Sequence, residues 1–279
     1  MPLAGCGLLG SATALDKIIA KRLLNAACIP VARSVAITKE EAPDFAALER
    51  ALGSPMFIKP ARQGSSVGVR KVSGSEEFPL ALEDALRFDR DLLVEEFVAG
   101  REIEFSVLED ETGGLFISRP GEIVPAEQHG FYSYDAKYVD ETGAVLKVPA
   151  DLPLEVENAM RDMAARAFRA LGCDGMARVD FFLKQNGDFL VNELNTIPGF
   201  TDISMYAKAM AASGTRATSA KPCTEPSSPK RPCRTGNSMS ILSVPTTSPP
   251  APSMVRRPRP PGTKASSAPL SGVARTPFS

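Results

Sequence analysis

The chain has no tryptophan, one histidine, four tyrosines and five cysteines in 279 residues. A single histidine, His129, argues against histidine triads and histidine-rich metal sites and leaves carboxylates, lysines and arginines to carry chemistry. The cysteines form no CxxC pair and no zinc-like spacing, so a reduced, cytosolic protein is the expectation. No run of about eighteen apolar residues appears, so no membrane span is expected. The opening "MPLAGCGLLGSATALDK" has no basic leader and does not read as a signal peptide. Apolar residues still make up 43% of the chain, which supports a packed core.

Charge and proline are unevenly spread. From Thr215 onward there are 10 Lys/Arg against 1 acid, with 13 of the 24 prolines and 20 Ser/Thr; the preceding residues carry 22 basic and 32 acidic side chains. The tail, residues 215–279, lacks the apolar content to offset its ordering entropy, and reads as a disordered or frameshifted extension rather than a nucleic-acid arm.

Ahead of it the patterns alternate. "LDKIIAKRLLNAACIPVA" predicts a helix capped by Asp16, with Ile19, Leu23 and Ala26/Ala27 as its apolar stripe and Cys28 where a glycine would end it more easily. "FAALERALGSP" predicts a short helix closed by Gly53. "LPLEVENAMRDMAARAFRALGC" predicts a long one with Val156, Met160, Met163, Ala167 and Leu171 on one face. "MFIKPARQGSSVGVRKV" reads as strand, Gly/Ser loop, strand, and "DLLVEEFVAGREIEFSVLED" as a strand pair broken at Ala99-Gly100. Strand pairs separated by helices predict an α+β fold with antiparallel sheets.

The hairpin "ARVDFFLKQNGDFLVNELNTIPG" is the most informative stretch. A two-residue type I′ turn at Asn186-Gly187 sets Asp180 opposite Glu193 and Arg178 opposite Asn195. Two carboxylates about 5 Å apart repel by roughly 3 kcal/mol at an effective dielectric near 20. A solvated polar face compensated by Arg178 is the plain alternative, but Arg178 is offset from Asp180 by two residues. Two carboxylates and an amide oxygen match the ligand set of Mg²⁺ beside a polyphosphate. The other face, Val179, Phe181, Leu183, Leu190, Asn192 and Leu194, is expected to meet the core.

Other pieces are weaker alone. "IKPARQGSSVGV" is not a Walker A loop; Lys59 and the Ser65-Ser66 loop are either an ordinary Gly/Ser turn, the commoner case, or a strand–loop–strand phosphate cover. Glu95, Glu96 and Glu102 are either surface charges or acceptors for a nucleotide's amine and hydroxyls. "HGFYSYDAKYVDETG", with Tyr132, Tyr134, Lys137 and Tyr138, is either a self-packed surface loop or a substrate lid. The Pro198-Gly199 turn leaves a backbone N–H near the acids, which with Arg178 suits a developing oxyanion.

In order, "GCGLLGSATALDK", "IKPARQGSSVGV", "LVEEFVAGREIE", "FYSYDAKY", "GMARVDFFL" and "NELNTIPGFTDISMY" resemble the D-alanine–D-alanine ligase family of the ATP-grasp fold over about Ala4 to Gly214. The resemblance implies two α+β subdomains clasping ATP, residues 1–95 central and 96–214 C-terminal. It implies Lys17, Lys59 and Lys137 on the phosphates under Ser65 and Ser66. Glu95 would meet the adenine amine, with Glu96, Phe97 and Val98 beside the ring, Glu102 on the ribose, and Phe182 and Asn192 also among the nucleotide contacts. Asp180, Glu193 and Asn195 would hold two Mg²⁺ ions, replaceable by Mn²⁺. Arg178 and the Gly199 amide would stabilise the oxyanion, and Ser204 and Met205 would receive the second D-alanine. Tyr138 matches the tyrosine of ligases that make the dipeptide. The implied reaction joins two D-alanines through an acyl phosphate for peptidoglycan precursors, in the cytoplasm and in a protein for which a homodimer is compatible. The family has a further domain ahead of "GCG…LDK", so a truncated nucleotide-binding remnant, or an ATP-grasp ligase for another amino acid, stays open beside the ligase.

Overall fold

The computed structural model describes residues 5–40, 44–125, 144–201 and 203–214, all within the compact unit Met1–Thr224. Lys137, Tyr138 and the rest of the expected lid, together with the tail, lie outside the described residues.

Two antiparallel sheets dominate. The smaller runs β1–β4–β2–β3, from β1 (Ser34–Thr38), β2 (Met56–Pro60), β3 (Arg70–Val72) and β4 (Asp91–Glu96). Helices α3 (Phe45–Leu52) and α4 (Phe78–Leu86) cover it over a core of Ile37, Leu48, Met56, Ile58, Phe78, Leu92 and Val94. Asp44 caps α3, accepting from the Ala46 N–H at 3.0 Å, and Gly53 ends it at φ 84°.

The larger sheet runs β10–β9–β5–β7–β8. Its strands are β5 (Arg101–Glu109), β7 (Gly121–Pro125), β8 (Ala144–Lys147), β9 (Met176–Leu183) and β10 (Phe189–Asn195), with β6 (Leu115–Ile117) also on β5. On one face α5 (Leu154–Ala170) packs Met160, Ala164 and Phe168 against Ile103, Phe105, Val179 and Phe181. Fully burying one such phenylalanine contributes about 2 kcal/mol. Two N-terminal helices, α1 (Leu8–Leu15) and α2 (Lys17–Ala26), add Ala14, Ala20 and Leu24 to this core. A last helix, α6 (Met205–Ala212), is tied to β5 by the Tyr206 hydroxyl, which donates to the Val107 carbonyl at 3.0 Å.

Several expectations change. The strands of "DLLVEEFVAGREIEFSVLED" are not partners: β4 belongs to the small sheet and β5 to the large one, and Phe97–Gly100 carries the chain between them. Gly100 is needed there, since a Cβ on it would sit 2.6 Å from the Leu183 carbonyl oxygen. The buried face of α2 is Ala20, Lys21 and Leu24; Ile19 is exposed and Leu23 only partly covered, because the core lies one residue round from the apolar stripe. Helices α1 and α4 have no counterpart in the sequence reading.

Candidate functional site

The Gln185–Gly187 loop joins β9 and β10. It is a three-residue loop rather than a type I′ turn: Lys184 N–H donates to Asp188 at 2.8 Å, and of Asn186 and Gly187 only Gly187 has positive φ, at 87°. This shifts the register near the turn by one residue, pairing Leu190 with Phe182 and Val191 with Phe181. A β-bulge between Val191 and Glu193 shifts it back, so Glu193 pairs with Asp180 and Asn195 with Arg178, as counted from the sequence. The bulge also corrects the expected core face: Val191 is fully buried, while Asn192 turns to the cavity beside Glu193.

Arg178 does reach Asp180. Its Nε and Nη2 each donate to an Asp180 oxygen at 2.7 Å, and Nε lies 3.1 Å from Glu104. The offset of two residues is spanned because both side chains rise from the same sheet face. Asn195 Nδ2 adds a bond to Asp180 at 3.1 Å. Burial alone would push the Arg178 pKa down, but Asp180, Glu104 and Glu193 outweigh it and raise it. The acid pair therefore sits in a ring of compensating charge, and Asp180 is buried rather than solvated.

Between the two sheets lies a cavity of about 380 Å³, inside the roughly 300–1,000 Å³ range of small-molecule pockets. It is lined by Lys17, Lys59, Ser65, Ser66, Glu95, Glu96, Phe97, Val98, Glu102, Phe182, Asn192 and Glu193. The sequence reading missed Phe57, Gln63, Val69, Arg101, Glu122, Ile123 and Val124 in its wall. Phe57 and Phe97, with ring centroids 6.1 Å apart, line it with Ile123 and Phe182, and the Lys59 ammonium lies 5.5 Å from the Phe57 ring centroid. Arg178, Asp180, Asn195, Gly199, Ser204 and Met205 do not line it. Ser204 Oγ accepts from the Thr201 N–H at 3.1 Å, and the buried Met205 side chain packs on Gly121, leaving Met205 only its backbone to offer a ligand.

Two lysines of the lining, Lys17 and Lys59, come from α2 and β2. Asp16 caps α2 by accepting from the N–H groups of Ile18 and Ile19 at 3.0 and 3.1 Å, worth about 1 kcal/mol. The helix so started projects Lys17 and Lys21 one turn apart. Lys17 N–H donates to Ala61 at 3.0 Å and its ammonium to the Gln63 carbonyl, fastening the helix to the root of the Gly/Ser loop. Burial lowers the Lys17 pKa, while Glu193 pulls the other way. In the loop, Ser65 (φ 53°) and Ser66 (φ 60°) are both left-handed, as is Gly68 (φ 70°). Two successive left-handed serines cost about 1 kcal/mol each, and such turns cup backbone N–H groups round an anion.

Glu95 differs most from expectation. It is 2% exposed, and its two oxygens are held by Lys59 and Lys21 at 2.6 Å each. Burial pushes its carboxyl up, and the two lysines outweigh that and hold it below the usual carboxylate range. Glu96 is likewise turned to Arg33, accepting from the Arg33 N–H at 2.8 Å and Nε at 2.7 Å.

A protein-family profile described as D-ala D-ala ligase C-terminus matches residues 23–219. The chain belongs to the D-alanine–D-alanine ligase family. It is 63% identical over 214 residues to D-alanine–D-alanine ligase A of Brucella suis, covering 77% of this chain and 61% of that protein. Over 216 residues it is 51% identical to the D-alanine–D-alanine ligase of Oceanobacillus iheyensis, covering 77% and 58%. It thus spans about three fifths of the curated relatives it matches. Among solved structures, D-alanyl-alanine synthetase A of Vibrio cholerae aligns with TM-score 0.69 at 36% identity, covering 78% of this chain and 66% of that one. The VanG D-Ala:D-Ser ligase of Enterococcus faecalis aligns equally well, TM-score 0.69 at 37% identity, covering 77% and 62%. The family's ATP-grasp fold accounts for the two sheets and the cavity between them. Among the described residues no helix is long and apolar enough to cross a membrane.

Proposed function

We propose that this chain carries the nucleotide-binding and bond-forming part of an ATP-dependent ligase that joins two D-amino acids, D-alanine first among them. One observation carries the reading: a single cavity brings together two lysines, a left-handed serine loop and several aromatic rings, and Glu193 of the Asp180/Glu193 pair lines it.

In this reading the adenine enters between Phe97, Val98, Ile123 and Phe182, and Glu102 accepts from the ribose. Lys17 and Lys59 draw the phosphates under Ser65 and Ser66, where backbone N–H groups and hydroxyls donate to them. Lys137, on the segment outside the described residues, would close over the γ-phosphate, with Tyr138 beside the amino acids. The oxygen-only set of Asp180, Glu193 and Asn195 fits Mg²⁺, for two ions or for Mn²⁺ in their place. Held by these residues, the metal would neutralise charge on the transferred phosphoryl group.

The first D-alanine's carboxylate attacks the γ-phosphorus, giving an acyl phosphate and ADP. The second D-alanine's amine attacks the acyl carbon, and phosphate leaves. Arg178, fixed by Asp180 and Glu104, and the Gly199 N–H face the oxyanion, so their donors need no reorganisation when charge develops. Ser204 receives the second carboxylate through its hydroxyl and Met205 through its N–H. The likeness to the VanG ligase supports D-serine as an alternative second substrate.

The test is phosphate release from Mg·ATP by the 279-residue chain with and without D-alanine. Release that requires D-alanine, with dipeptide found by mass spectrometry, is expected. No release, in a chain that still binds ADP, would reduce the function to nucleotide binding.

A further inference from the structure

Lys21 has no part in the ligase reading, yet it is among the least expected residues in the fold: a lysine 5% exposed on the inner face of α2. A buried ammonium is retained only where it is paired. Its partners are Glu95 Oε2 at 2.6 Å and, more weakly, the Ala32 carbonyl at 3.4 Å. It does not line the large cavity. Its path to that cavity runs through Glu95, whose other oxygen holds the Lys59 ammonium at 2.6 Å.

We propose that Lys21 is a positioning residue that anchors Glu95 and, through it, sets the Lys59 ammonium at the cavity wall. The inference rests on the nucleotide reading above. With Lys21 present, the cluster of one carboxylate and two ammoniums carries a net positive charge. Lys59 can lean toward a phosphate because Glu95 keeps a second cation. Without Lys21, Glu95 and Lys59 close into a neutral pair that holds Lys59 back, and the carboxylate loses the bond that fixes its rotamer. Burial lowers the Lys21 pKa, with Glu95 pulling the other way.

The experiment is calorimetric titration of the full chain with ADP and Mg²⁺, using wild type, Lys21→Met, Lys59→Met and the double variant, with thermal melts as a check on folding. Each single change is expected to weaken ADP binding roughly 10- to 100-fold, the scale of one charge-assisted hydrogen bond. The double variant is expected to bind within about 3-fold of the weaker single one, because both changes remove the same contact. A purely structural Lys21 would make the losses multiply, and that result overturns the inference. So does Lys21→Met binding ADP as wild type does. If Lys21→Met fails to fold, Lys21→Gln, which keeps a donor for Glu95, takes its place under the same criteria. Absence of ADP binding by wild type would overturn the nucleotide reading and this inference together; wild-type binding left unchanged by the Lys21 substitution overturns this inference alone.

Discussion

Asp180 and Glu193 face each other across β9 and β10 because one extra residue, Asn192, is bulged out of the ladder between them and the turn. Arg178 grips both Asp180 oxygens and touches Glu104, so the acid pair is held in place by charge as well as by register. Replacing Asp180 with Asn should leave a largely buried guanidinium with Glu104 as its remaining contact acid, costing about 2 kcal/mol of stability. Glu193→Ala should cost under about 1 kcal/mol as a partly exposed site. Both should abolish turnover. Urea titrations beside the phosphate-release assay separate the two effects; equal destabilisation would contradict the assigned difference.

Gly100 links the two sheets, and its missing Cβ leaves room for the Leu183 carbonyl. Gly100→Ala is expected to destabilise the fold by about 1–3 kcal/mol through overpacking against backbone that cannot yield. The shift falls on the cavity wall, so ADP affinity should drop too. A variant as stable as wild type would show that the link is not tightly packed.

How much of this was legible follows from where each signal lives. Asn186-Gly187 announced the hairpin, and counting from it found the Asp180/Glu193 and Arg178/Asn195 pairs. The count succeeded through two cancelling shifts, a longer loop and a bulge, neither of which leaves a mark in the pattern. Six motifs in order pointed to the fold family, and eleven of the residues expected near a nucleotide line one cavity between the sheets. The two lysines that hold Glu95 were not legible, because they come from α2 and β2, far away in sequence. Lys21 passed as an ordinary helix lysine for the same reason. Sheet membership of β4 and β5 depends on distant partners, and adjacency in sequence misled there.

Cys28 ends α2 in the left-handed region at φ 55°, with Ile29 N–H donating to the Leu24 carbonyl at 2.9 Å. That is the place for a glycine. Cys28→Gly should raise stability by about 1 kcal/mol, the steric cost relieved less glycine's greater unfolded-state entropy. A lower melting temperature would show that the exposed thiol has a contact worth more than the strain.

Glu122 lines the cavity and is held by Arg101 at 2.7 and 2.8 Å, which keeps its carboxyl below the usual range. A depressed folded pKa contributes stability at pH above the unfolded value, about 4.3 for glutamate. That contribution fades as pH falls through the depressed value. Glu122→Gln should therefore be less stable than wild type at pH 7, with the difference shrinking in melts taken between about pH 5 and pH 3. A difference constant across that window would show that the pair adds nothing through its charge.

The central claim is that the cavity holds an adenine nucleotide with a metal on Asp180 and Glu193. The most direct test is titration of the 279-residue chain with ADP, once with Mg²⁺ and once with a chelator. The account predicts binding that weakens at least about tenfold without the metal, a difference of roughly 1.4 kcal/mol, and a Glu193→Ala variant indifferent to it. No binding, or binding equal with and without Mg²⁺, would contradict it.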